Sequence, residues 1–247
     1  MFSGSFTQGG LVIGHSLPGA QVTLDGQKVP VAADGRFLLG FGREARPEAV
    51  LRVESPAQPP ETFRLAVTAR RWDIQRIDGL PEKKVTPDPQ TLERIKEENA
   101  RLAAARAQTT PLAGFASGFI LPAEGRVSGI FGSQRILNGQ PRAPHVGLDI
   151  AGPVGAPVWA AADGVVSLVE PDLFFTGQTV MIDHGLGLSS LYAHLSAIRV
   201  QPGQTVKKGD PIGAIGASGR ATGAHLHWGL AWFEVRLDPE LALALKP

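Results

Sequence analysis

Thirty glycines and twenty prolines interrupt a chain of 247 residues, about one position in five. Proline ends regular structure because it lacks a backbone N–H, and glycine because its backbone is so free. Punctuation this dense suits many short strands joined by turns and leaves little room for a helical bundle. A mainly β chain is expected. Its length allows one to two domains. A composition of 43% hydrophobic and 19% charged residues is that of a globular protein with a core, not of a disordered chain.

Charge narrows the function classes. With 24 Lys and Arg against 23 Asp and Glu, the formal net charge is +1, and no basic run interleaves with aromatic residues. Such a chain has no long-range field to gather nucleic acid, so a nucleic-acid partner is not expected. The absence of cysteine excludes disulfides, thiolate zinc sites, iron–sulfur clusters and a cysteine nucleophile. Any metal must therefore be held by histidine and carboxylate. No apolar run reaches membrane-spanning length. The opening Met1-Phe2-Ser3-Gly4 has neither a basic start nor an apolar stretch, so no export signal is expected in the sequence as given.

Residues 1–80 read as a small, sandwich-like all-β module. Short apolar runs at 11–13, 20–24, 29–31, 37–41, 50–53 and 63–67 are separated by turn signals at Pro18-Gly19, Asp25-Gly26 and Asp34-Gly35. Residues 81–110 read as a linker carrying one helix. Prolines crowd 81–89, Asp88 can cap the helix, and Leu92, Ile95, Asn99 and Leu102 recur at helical spacing, with Glu97 four residues before Arg101. A helix packed on one of its own domains is expected. From residue 111 the strand rhythm returns, and this half holds five of the six histidines.

Three of its segments carry chemistry. In Pro144-His145-Val146-Gly147-Leu148-Asp149 the apolar positions alternate as in a strand, which turns His145 and Asp149 the same way. In His225-Leu226-His227 two histidines share one face of an expected strand while Leu226 turns to the core. Tyr192 and His194 are expected to share a face in the same manner. Two neutral imidazoles and one carboxylate leave an open position on a tetrahedral zinc ion, as hydrolytic zinc requires. Four histidines and one aspartate exceed that need, and the surplus suits a general base and a transition-state stabiliser.

These residues carry a family resemblance. Ser128-Gly129-Ile130-Phe131-Gly132, His145-Val146-Gly147-Leu148-Asp149-Ile150, Gly155-Ala156-Pro157-Val158, Leu191-Tyr192-Ala193-His194-Leu195 and the run from Ser218 to His227 are similar, in order, to the successive signatures of the lysostaphin/LytM-type zinc endopeptidases. The likeness spans roughly 121–238. It implies an antiparallel β-sheet metallopeptidase domain over 111–247 with residues 1–80 as an accessory domain. It also implies one zinc per chain on His145, Asp149 and His227. His194 and His225 would then be catalytic, flanking the attacking water as base and as oxyanion or water-orienting group. The implied substrate is the peptide moiety of peptidoglycan, which places the protein outside the cytoplasm once a leader has been removed. A peptidoglycan-binding or hydrolase-activating scaffold of the same fold is the alternative, and the five intact site residues favour the enzyme.

The sequence departs from the family pattern twice. Ala224 stands where a proline usually precedes the histidine pair, which is expected to loosen that loop, and no tyrosine lies between Phe131 and His145. Asn138, Arg135 and Arg142 are candidates to complete an oxyanion site. His184 is expected to be structural, Trp228 and Trp232 to line core or groove, and 216–223 to form a groove wall rather than a phosphate loop. The loops 132–144 and 171–179 are expected to select the substrate.

Overall fold

The computed structural model of the chain describes residues 2–56, 58–77, 89–137 and 139–245. The proline-rich stretch 81–88, with the cap expected at Asp88, lies outside the described residues, as does Asn138. Strands dominate, as the glycine and proline punctuation predicts.

The first half comprises β1 (Phe2–Gly4), β2 (Leu11–His15), β3 (Gln21–Leu24), β4 (Gln27–Val29), β5 (Arg36–Gly40), β6 (Glu48–Ser55), β7 (Gln58–Ala66) and β8 (Ile74–Ile77). Two small sheets form, in the orders β1-β2-β5 and β4-β3-β6-β7. Strand β6 shows why they pack: Ala49 and Leu51 are buried while Glu48, Val50 and Arg52 face outward. The β3–β4 hairpin closes on Asp25-Gly26, both with positive φ (48° and 80°), the backbone of a tight primed turn.

The second half begins with α1 (Pro89–Arg106) and a 3-10 turn at Gly114–Ser117. There follow β9 (Arg126–Gly129), β10 (Gln134–Leu137), β11 (Gln140–Pro141), β12 (Gly147–Ala151), β13 (Pro157–Trp159), β14 (Gly164–Leu173), β15 (Gly177–Gly185) and β16 (Leu188–Ile198). The chain closes with β17 (Thr205–Val206), β18 (Pro211–Ile215), β19 (His225–Trp232), β20 (Val235–Leu237) and α2 (Pro239–Leu243). A large antiparallel sheet runs β17-β14-β15-β16-β19-β12-β9, with β13, β18 and β20 attached at its side. One face of it, through Leu148, Ile150, Val180, Tyr192, Leu226 and Trp228, joins a core continuous with Ile13, Leu38 and Leu51 of the first half. Helix α1 packs on the other face, where Leu102 and Ala105 meet Leu173, Met181, Leu191 and Ala193.

The helix buries Leu102 and half-buries Ile95 as its apolar spacing predicts, but the rest of its buried stripe differs. Leu92 is 48% exposed and Asn99 is exposed, while Glu98 is buried beside Leu102 and Ala105. The reason is polar. The Glu98 carboxylate accepts from the Phe174 backbone N–H (2.8 Å) and from Arg94 Nε (2.6 Å), so a charged residue can occupy the contact face. Arg101 pairs with Glu170 across the interface at 2.7 Å rather than with Glu97.

Candidate metal centre

The face of the large sheet away from the main core carries the candidate site. Strands β12 and β19 pair so that Asp149 lies directly opposite His227 and Ala151 opposite His225. Alternation along β19 sends Leu226 and Trp228 into the core and leaves His225 and His227 on the other face, as the sequence pattern predicts. His145 precedes β12, and backbone bonds hold it to the turn before β10. Its N–H donates to Ser133 O (2.8 Å) and its carbonyl accepts from Gly132 N (2.9 Å).

Three side-chain atoms converge. His145 Nε2 lies 3.0 Å from Asp149 Oδ1 and 3.1 Å from His227 Nδ1, and that Nδ1 lies 2.8 Å from the same oxygen. His145 Nδ1 is 3.0 Å from Ile130 O. A carbonyl only accepts, so Nδ1 carries the proton of the neutral ring and Nε2 turns a lone pair toward the carboxylate. Lone pairs crowding together at these distances repel unless a proton or a cation sits among them. No Lys or Arg pairs with Asp149 among the described residues. Two imidazole nitrogens and a carboxylate oxygen are donors suited to zinc, and the chain has no thiols to compete.

Glycines make the convergence sterically feasible. A methyl group at Gly147 would lie 2.7 Å from His227 Cε1, and one at Gly129 would lie 2.5 Å from Asp149 Oδ2. Either would push a converging side chain away.

His194 and His225 complete the cluster. Their ring centroids are 4.7 Å apart, and the His194 ring is 6.2 Å from that of His227. Each is oriented by a carbonyl: His194 Nδ1 donates to Ser218 O and His225 Nδ1 to Gly223 O, both at 2.8 Å. Nε2 is thereby left as the unprotonated atom on both rings, and His225 Nε2 sits 3.9 Å from Asp149 Oδ1. The sequence offers no sign of these orienting groups, because they are backbone carbonyls. The loop before the pair is pinned despite Ala224, since His225 N donates to Gly216 O at 3.1 Å.

Electrostatics follow from burial and these bonds. Burial alone would raise the Asp149 carboxyl, but the His145 and His227 imidazoles set against its Oδ1 outweigh burial and hold the group well below the usual carboxylate range. Burial lowers His145, yet Asp149 and the Ile130 carbonyl carry its net shift upward. His227 is lowered by burial. His194 falls to about 4, chiefly through burial, against the opposing Ser218 carbonyl and helped by the neighbouring His225 and His227.

One expectation needs correction. Tyr192 and His194 do not share a face. Tyr192 lies opposite Trp228 in the core, its hydroxyl accepting from Ala161 N (2.8 Å) and Ser190 Oγ (3.0 Å), and burial pushes it up to about 12. His194 has a φ of 62°, and this left-handed residue interrupts the alternation of β16 and turns the imidazole to the opposite face. His184 is structural as expected, fully enclosed and bonded to Asp163 O and Ser190 Oγ, both at 2.7 Å. Segment 216–223 acts as a brace: Ser218 Oγ accepts from Gln178 N (2.9 Å) and donates to Leu195 O (2.7 Å). Of the three candidates for an oxyanion group, Arg142 is seen to give its carbonyl to Gln134 Nε2 at 2.7 Å, while Asn138 and the side chain of Arg135 lie outside the described set.

The model of Peptidase family M23 matches residues 143–239, which include His145, Asp149, His194, His225 and His227. The chain is 42% identical over 106 residues to peptidoglycan DD-endopeptidase ShyA of Vibrio cholerae, covering 42% of this chain and 24% of that protein. It is 46% identical over 84 residues to the DD-carboxypeptidase/endopeptidase Mpg of Neisseria meningitidis, covering 34% of this chain and 19% of the relative. The chain thus spans about a quarter or less of the length of these curated relatives. A crystal structure of a putative peptidase M23 from Pseudomonas aeruginosa matches along nearly the whole chain, with 30% identity, a TM-score of 0.74, and coverage of 96% of this chain and 94% of that one. The chain belongs to peptidase family M23.

Proposed function

We propose that the chain is a zinc-dependent endopeptidase that hydrolyses peptide bonds in peptidoglycan stem peptides or cross-links. In this reading residues 111–247 are the hydrolytic domain, residues 1–80 an accessory domain, and the protein works outside the cytoplasmic membrane, where its substrate lies. The observation that carries the proposal is the meeting of His145 Nε2, Asp149 Oδ1 and His227 Nδ1 with no cationic side chain among the described residues to neutralise them. The names of the relatives, peptidoglycan endopeptidases among them, support the substrate class.

His145, Asp149 and His227 would hold the zinc. When bound, the metal supplies Lewis acidity that polarises the scissile carbonyl and eases deprotonation of water. His194 and His225 do the remaining work through Nε2. One accepts a proton from the attacking water and returns it to the departing amine, while the other orients the water by accepting from it at Nε2 and donates to the developing oxyanion only in its protonated form. The depressed basicity of His194 keeps its ring neutral at neutral pH and therefore able to accept. The Ser218 and Gly223 carbonyls fix both tautomers before substrate arrives, so little reorganisation is needed during the reaction.

The test is digestion of purified sacculi with metal-loaded protein and mass analysis of the released muropeptides. Cleaved cross-links or stem peptides support the enzyme. Intact sacculi in the presence of bound zinc would favour the scaffold instead.

A further inference from the structure

The sequence gives residues 1–80 no chemical role, yet their last segment reaches the candidate metal centre. Strand β8 pairs in parallel with β10, and Gln134 N donates to Asp73 O at 2.8 Å. Just before β8, Trp72 packs edge-on against Phe131, with ring centroids 5.8 Å apart and planes at 71°. Two guanidinium groups lie over the Trp72 ring, Arg70 at 4.6 Å and Arg43 at 5.1 Å from a ring centroid. Neither arginine is free to leave. Arg70 pairs with the buried Asp238 carboxylate at 2.7 Å, and Arg43 Nε donates to Gly132 O at 2.9 Å.

Gly132 belongs to the turn on which His145 hangs. The turn residues Ile130, Gly132 and Ser133 make three bonds to His145: Ile130 O accepts from the ring, Ser133 O accepts from the backbone N–H, and Gly132 N donates to the backbone carbonyl. Contact with Trp72 is tight enough to fix this turn. A methyl group at Gly132, where φ is 81°, would lie 2.1 Å from Trp72 Cε3. The path from the first half to the metal-facing nitrogen is therefore short: Trp72 and Arg43 to the 130–133 turn, and the turn to the tautomer and direction of His145.

We infer that Trp72 and Arg43 are positioning residues of the metal centre, so that the N-terminal module helps hold His145 in its ligating orientation. This inference rests on the zinc-peptidase reading. Groups that orient a metal-ligating histidine through its other ring nitrogen, as Ile130 O does here, typically alter metal affinity by about 10–100-fold. An effect of that size is expected when the turn is released.

The test is zinc affinity of the full chain, measured by competition with a chromophoric chelator, for wild type, Trp72→Ala, Trp72→Phe, Arg43→Met and Leu51→Ala. Leu51 is buried in the N-terminal sheets away from the turn and serves as a control for loss of stability alone. Trp72→Ala and Arg43→Met should weaken zinc binding by about 10–100-fold, while Trp72→Phe restores much of it and Leu51→Ala leaves it unchanged below its unfolding temperature. Should Trp72→Ala fail to fold, Arg43→Met decides. Wild-type affinity in Arg43→Met, or an equal loss in Leu51→Ala, would overturn the inference. A wild type that binds no zinc would instead overturn the reading beneath it.

Discussion

Asp149 and His227 face one another across the antiparallel pair β12 and β19, with Oδ1 2.8 Å from Nδ1. The register of two strands thus places two of the three proposed ligands, and only His145 depends on a loop. Replacing His227 or His145 by Ala should abolish stoichiometric zinc and activity together. Replacing His194 or His225 by Ala should leave zinc near one equivalent while hydrolysis falls by about 10²–10⁴-fold. Metal analysis beside a rate assay checks the division, and loss of zinc from His225→Ala with retention in His227→Ala would reverse the assignment.

Gly147→Ala should act on the site through space. The added methyl would stand 2.5 Å from Trp228 O and 2.7 Å from the His227 ring, so strand and imidazole cannot both keep their places. A stability loss of about 1–3 kcal/mol is expected from such overpacking, together with weakened zinc binding. Urea unfolding and chelator competition read the two effects separately.

Helix α1 is expected to be part of the hydrolytic half rather than a free tether. Leu102 is 9% exposed against Leu173, Met181 and Leu191, so Leu102→Ala should cost about 2–4 kcal/mol. A fragment of residues 111–247 is expected to unfold cooperatively and to be less stable than residues 89–247. Chemical denaturation of the two fragments tests this, and equal midpoints would show that the helix contributes nothing.

Acid should destabilise the metal-free protein partly through His184. Burial holds its imidazole below the ordinary value of 6.5, so as pH falls below that value the unfolded chain takes up a proton before the folded one does. The contribution is full above pH 6.5 and is lost as pH drops toward the folded value, at up to about 1.4 kcal/mol per pH unit for one group. The difference between the urea midpoints of wild type and His184→Gln should therefore narrow on acidification. A constant difference from pH 7.5 to pH 5 would contradict the assignment.

What could be read from the sequence followed local periodicity. The His225-x-His227 pair was legible because an alternating strand is a two-residue repeat, and Leu226 in the core reported its phase. His194 defeats the same logic, since one left-handed residue reverses the face and histidine does not announce a positive φ as glycine does. The stripe of α1 is legible only in part, at Leu102 and Ile95, because a buried Glu98 satisfied by Phe174 N is indistinguishable, in sequence, from a solvated one. The parallel pairing of β8 with β10 joins segments about 60 residues apart with no shared pattern, so the link from Trp72 to His145 appears only once the chain is folded.

The most direct measurement is hydrolysis of sacculi as zinc is titrated into metal-free protein. Muropeptide release should rise in proportion to added zinc, reach its plateau at one equivalent per chain, and vanish in His227→Ala at the same zinc concentration. Release that ignores zinc, or sacculi that stay intact when the chain is saturated, would contradict the account.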